Sequence, residues 1–213
     1  MPLHTTDALI LRTYKLGESD RIVVFLTRDR GKKRGVAKNA RQSRRRFGGA
    51  LEPLTYGRVG YVERERRDLV RLDYVEPLRS PLSAMDGEAL GYVSYFAELI
   101  DEWAQEADPN EPLFRLGVSM VDAMAKGAPI EPLARYFEFW LLRLQGVYEL
   151  DTRLSEEARA FLAAARRVTP MALGHVTVSP GALRELEASH RALIAMHLEK
   201  ELKSVRVLRE MRK

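Results

Sequence analysis

The chain has 213 residues, 46% hydrophobic and 31% charged, with 35 Lys/Arg against 30 Asp/Glu and no cysteine, the make-up of an ordered protein rather than a disordered tail. Without thiols there are no disulfides, no thiolate nucleophile and no Cys-ligated zinc, and no apolar run approaches the roughly 20 residues of a membrane helix. The N-terminus lacks a basic-then-apolar leader, so a cytoplasmic location is expected.

The first 80 residues read as short strands. One opens at Ala8 and runs to Tyr14, and residues 16–20 form a turn. Ile22, Val23, Val24, Phe25 and Leu26 make a β-branched run that suits a strand covered on both faces. Asp29, Arg30 and Gly31 turn the chain into a third strand from Lys32 to Lys38, and two more are predicted over 55–62 and 68–75. In the last, Val70, Leu72 and Tyr74 alternate against Arg71 and Asp73. Five strands in so short a stretch imply a small closed barrel, because closure removes exposed edges.

Beyond residue 80 the period becomes helical. Leu90, Val93, Phe96, Ala97 and Ile100 mark a first helix, ended by Asp108-Pro109-Asn110. A second runs from Pro112 to Lys126, where Gly127 stops it. A third starts at Ile130 and puts Leu133, Tyr136, Phe137, Trp140, Leu141 and Leu144 on one apolar stripe, with Phe139 off it. Ser155 is the predicted N-cap of a helix over 156–167, and Ser179-Pro180 opens a last helix reaching Leu208. The expected fold class is α+β in two domains: a five-stranded barrel over 1–80 and an all-α bundle over 81–213.

Charge is unevenly placed. Residues 1–80 hold 19 Lys/Arg and 10 Asp/Glu, whereas residues 81–213 hold 16 and 20. Residues 30–46 gather nine cations and no carboxylate, a density that a polyanion relieves. Lys32, Lys33, Arg34 and Lys38 on a strand, then Arg41, Arg44, Arg45 and Arg46 on the following loop, form the expected phosphate track. A solvated loop without a ligand is the competing reading. Phe47, Tyr56 and Tyr61 are the nearest rings for base stacking, with Tyr61 better suited to the barrel core, and Gly48-Gly49 would let the loop close. On the third helix, Arg135, Phe139 and Arg143 are the expected partner surface, suited to an acidic, apolar peptide.

Catalytic constellations are poor. His190 and His197 share a helix face with no third ligand, and Asp68, Asp73 and Glu76 are read as ion-paired strand residues beside Arg66, Arg67 and Arg71 rather than as nuclease carboxylates. No phosphate-cradling loop or nucleophile elbow occurs, so no enzyme activity, metal or cofactor is expected. The same charge on a barrel serves RNA or a ribosome, which stands as the alternative.

Residues 6–23, then Thr27 to Gly31, Ala37 to Arg41 and Arg46 to Pro53, resemble the opening of the bacterial recombination mediator family RecO, and residues 197–208 are similar to that family's last helix. The resemblance implies an OB-fold followed by a helical domain. It implies binding of single- and double-stranded DNA, strand annealing, and loading of the recombinase RecA onto strands coated by SSB, together with RecR and with RecF as a further partner. It makes the basic strand and loop the DNA contacts, gives the C-terminal tail of SSB to the helical domain, and implies a protein of the bacterial cytoplasm that joins the nucleoid during repair. Many members carry a four-cysteine zinc module; this chain passes from Gly146 through Asp151 to Ser155 without one.

Overall fold

A computed structural model gives the structure of residues 2–63, 68–84 and 87–211; Arg66 and Arg67 lie outside the described residues. The strands are β1 (Leu3–Leu16), β2 (Asp20–Thr27), β3 (Gly31–Ala37), β4 (Tyr56–Val62) and β5 (Val70–Arg79). They close in the order β1-β2-β3-β5-β4, antiparallel except where β3 meets β5. That cyclic order is the expected OB-fold. β1 is twice the predicted length because it serves two ladders, pairing with β4 from Leu3 to Leu9 and with β2 from Ala8 to Leu16.

Inside the barrel, Ala8, Ile10, Val23, Phe25, Tyr61 and Leu72 pack as one core. Outside it, Leu9, Val24 and Leu26 are just as buried. The helices explain this. After a single turn, α1 (Arg44–Phe47), come α2 (Gly87–Trp103) and α3 (Glu111–Ala125). By packing, residues 93–121 belong with residues 1–81, whereas 82–92 and 122–213 form the second compact unit. Residues 93–121 pack with the barrel because β1 and β2 carry an outer apolar face that needs a cover. Gly117 permits the approach: a Cβ there would lie 2.5 Å from Leu9 Cδ1.

Among the described residues three register shifts interrupt the ladders, and two of them decide the facing of predicted site and core residues. Along β1 the pairing jumps from Ile10↔Phe25 to Arg12↔Val24, leaving Leu11 as an extra residue. Everything after it changes face. Between β4 and β5, Gly60 pairs with Tyr74 but Tyr61 with Leu72, so Asp73 is extra. The alternation predicted for Val70, Leu72 and Tyr74 breaks there: Val75 enters the core, and the Tyr74 ring lies over Gly60.

The second unit is built from α4 (Ile130–Leu144), α5 (Glu156–Ala165), α6 (Pro180–Leu198) and α7 (Lys203–Met211), with the ends of α2 and α3. Ser155 caps α5 and Ser179 caps α6, each accepting from the amide three residues on at 3.2 Å. The last helix is not continuous to Leu208. Glu199 adopts φ 52° and ends α6, which redirects the chain so that Leu202, Val205 and Leu208 become buried. His190 and His197 also part company, since His190 is fully buried and His197, two turns on, is exposed.

Candidate nucleic-acid interface

The cations of β3 do not share one fate. Lys32 and Arg34 stand on the barrel's outer face, cross-strand from Leu26 and Val24, with Leu9 and Arg12 beyond them on β1. There α2 presents carboxylates. Lys32 Nζ donates to the Asp101 carbonyl at 2.6 Å and to its carboxylate at 3.2 Å. Arg12 Nε lies 3.3 Å from Asp101, and its Nη2 3.7 Å from Glu98. Burial works against the Arg12 charge, but the hydrogen bond to Tyr14 and the two carboxylates outweigh it and hold its pKa above the usual value. Lys33, on the inner side next to Phe25, donates to Glu63 at 2.9 Å and holds that carboxyl below its usual range. The fold engages Lys32 and Lys33 with its own acids, which takes both out of the exposed track. Arg34 and Lys38 remain exposed.

The following loop is fastened at both ends. The Asn39 amide donates to Asp20 Oδ1 at 2.8 Å, the Arg41 amide to the Ser19 carbonyl at 3.2 Å, and Arg41 Nη1 to the Glu18 carbonyl at 3.1 Å. All three tie the loop to the β1–β2 turn. Arg46 braces it from within, donating through Nη2 to the Lys38 carbonyl at 2.7 Å and through Nε to Ser43 Oγ at 3.0 Å. Phe47, only 3% exposed, then plugs the loop into the barrel core with Ala50 and Leu51. The result is a pre-formed ridge with Lys38, Arg41 and Arg45 turned to solvent. The side chain of Arg44 is not among those described.

None of the three predicted rings is open to a base. Phe47 and Tyr61 are core residues, and the Tyr61 hydroxyl is pushed up to about 12 by burial, with Glu63 adding to the shift. Tyr56 is half-buried: its hydroxyl donates to Asp7 at 3.2 Å, Arg79 lies over its ring, and Phe114 meets it edge-on. Burial, with Asp7, raises its pKa. The ring left available is Tyr14, 43% exposed, in a cross-strand row with Ile22 and Val36 and near Leu16, itself 38% exposed. Arg12 Nη1 donates to its hydroxyl at 3.3 Å. The sequence holds no signal for this, because the Leu11 bulge decides which face Tyr14 occupies.

The partner surface expected on α4 needs correction. Arg135 is 3% exposed, with Nη2 3.0 Å from Glu138 and Nη1 3.6 Å from Glu187. Glu138 also meets His190 Nδ1 at 3.1 Å. Phe139 is fully buried, edge-on to Tyr148 at 5.0 Å, with Arg143 and Arg166 stacked over its ring. Packing surrounds α4, so Arg135 and Phe139 face the interior and Arg143 is the exposed one of the three. The exposed apolar side chains of this unit include Leu150 and Met196, which border a groove of about 560 Å³ along α6 with Leu193 and Arg153. Among the described residues no group of three His, Asp or Glu is placed to hold a metal, and no helix is long and apolar enough to cross a membrane.

Comparison with known proteins places these features in context. Residues 1–81 match the family model "Recombination protein O N terminal", and residues 84–151 match "Recombination protein O C terminal". The chain is 46% identical over 145 residues to DNA repair protein RecO of Koribacter versatilis, covering 68% of this chain and 59% of that protein. With the RecO protein of Anaeromyxobacter sp. strain K it shares 42% over 142 residues, 65% of this chain and 55% of the relative. These matches span little more than half the length of the relatives. With the RecO protein of Geobacter metallireducens the identity is 32% over 238 residues, covering 96% of both.

Proposed function

The chain belongs to the recombination protein O family of DNA repair proteins, and from that premise we propose that it binds single- and double-stranded DNA on the ridge formed by residues 38–46 and promotes annealing of complementary strands. The observation that supports this reading is the fastened loop, which holds Lys38, Arg41 and Arg45 outward at fixed positions beside Arg34. Two single strands repel through their phosphates; a cationic surface lowers that repulsion and leaves the bases free to pair. No covalent bond is made or broken in this mechanism. Tyr14, with Ile22 and Val36, supplies an apolar row on which an unpaired base stacks.

In the same reading the protein acts in the bacterial cytoplasm and at the nucleoid, and loads recombinase onto strands coated by SSB. RecR assists, RecF and RecA are further partners, and the helical unit receives the SSB tail. With about six phosphates engaged, log K falls with log salt at a slope near −4. The test is a strand-annealing assay with and without SSB at two salt concentrations. Acceleration that persists on coated strands supports the mediator role. Acceleration confined to bare strands reduces the protein to a polycation, and an absence of oligonucleotide binding in dilute buffer ends the reading.

A further inference from the structure

Where the fastened loop meets the β1–β2 ribbon it encloses a cavity of about 210 Å³, bordered by Thr13, Arg21, Arg41, Gly48, Gly49 and Glu52. Its apolar wall includes Phe47 and Leu51, both fixed in the barrel core. We infer that this cavity is a phosphate subsite that grips one phosphodiester of a nucleic-acid strand, a discrete contact within an otherwise diffuse track. The inference rests on the DNA-binding reading and gives it a location.

Four observations carry it. The first is size: the cavity is smaller than the roughly 300–1,000 Å³ of pockets that enclose drug-sized ligands, so a phosphate and its ester carbons fit where a whole nucleotide does not. The second is chemistry. Arg21, Arg41 and Thr13 line it together with Gly48-Gly49, where Gly49 at φ 70° turns the chain and carries no side chain to obstruct the approach; a guanidinium is a planar fork matched to phosphate oxygens. The third is preorganisation. The Arg41 side chain is held by the Glu18 carbonyl and its amide by Ser19, and the backbone of Arg21 is fixed in the ladder between Lys15 and Ala37, so the ordering left for binding falls on the Arg21 side chain. The fourth is charge balance. Glu52 opposes the two arginines and leaves the lining at a net single positive charge, which suits a phosphodiester monoanion better than a terminal phosphate dianion.

The test uses the full chain and fluorescence anisotropy with a 5′-hydroxyl oligothymidylate at low salt. R21Q is expected to weaken binding about tenfold and to flatten the salt slope by about 0.7, the share of one phosphate on a single strand. R21K keeps the charge but loses the fork, and is expected to stay close to R21Q; full recovery by R21K would show a diffuse field and overturn the subsite. E52Q removes an opposing charge from an exposed position and is expected to tighten binding several-fold; no change in E52Q would likewise count against it. Adding a 5′-phosphate to the probe is expected to leave affinity unchanged, whereas a large gain would reassign the cavity to strand ends. Dimethyl phosphate, a phosphodiester monoanion, matched against chloride at equal ionic strength, is expected to raise the unfolding temperature of the wild type and not of R21Q. If wild-type protein binds no oligonucleotide, the DNA reading falls by itself, and the phosphate-dependent shift still decides the cavity.

Discussion

Loop 38–46 and helix α4 each carry arginines, and the fold treats the two sets in opposite ways. In the loop, Lys38, Arg41 and Arg45 reach solvent while Arg46 braces the backbone beneath them. In α4, Arg135 is buried between Glu138 and Glu187, and Arg143 lies over aromatic rings. β3 stands between these extremes, with Lys32 and Lys33 paired and Arg34 free of such pairing among the described contacts. Cation density along a sequence is therefore not the same quantity as cation density offered to a ligand. What separates them is whether the fold brings a carboxylate within reach.

The sharpest way to break this comparison is to remove a cation from the inward set. Arg135→Ala removes the buried arginine between Glu138 and Glu187, which keep His190 and Arg191, and is expected to cost about 3–5 kcal/mol in urea unfolding, with oligonucleotide affinity unchanged in the folded fraction. A smaller loss would mean that water reaches the cluster. Next comes the outward set. Replacing Arg34, Lys38 and Arg45 together by Ala is expected to weaken single-strand binding roughly a hundredfold at low salt and to flatten the salt slope by about 2, with little change in unfolding midpoint. A preserved slope would remove the ridge from the interface.

Tyr14→Ala distinguishes stacking from charge: a loss of about 1–2 kcal/mol in affinity with the salt slope intact is expected in anisotropy titrations, and a change in slope would contradict it. The smallest effect belongs to β3. Lys32→Ala loses two hydrogen bonds to Asp101, which keeps Arg12, so about 1 kcal/mol of stability is expected to go, with DNA affinity nearly constant. A large affinity loss would return Lys32 to the track.

The barrel was legible because its signals are local. Ile22 to Leu26 announces a strand covered on both sides, and the observed β2 has Phe25 inside the barrel and Val24 outside it, both buried. Ser155 was recognisable as a cap because a cap depends on four consecutive residues. The site was harder to read. Phe47 sits within a basic run and looked like a stacking ring, yet it is the residue that fastens that run to the core.

Sequence alone determined the class of structure, two helix- and strand-rich halves of opposite charge, because hydrophobic period and charge are properties of neighbours along the chain. Tertiary structure decided which cations are paired, which ring is exposed and where a cavity forms. An extra residue at Leu11 turns Arg12 and Tyr14 outward, the acids of α2 then take Arg12 and Lys32, and the loop closes on Arg21. The physical reason is that register and ion pairing depend on residues far apart in sequence, and their free energy exists only once the chain has brought them together.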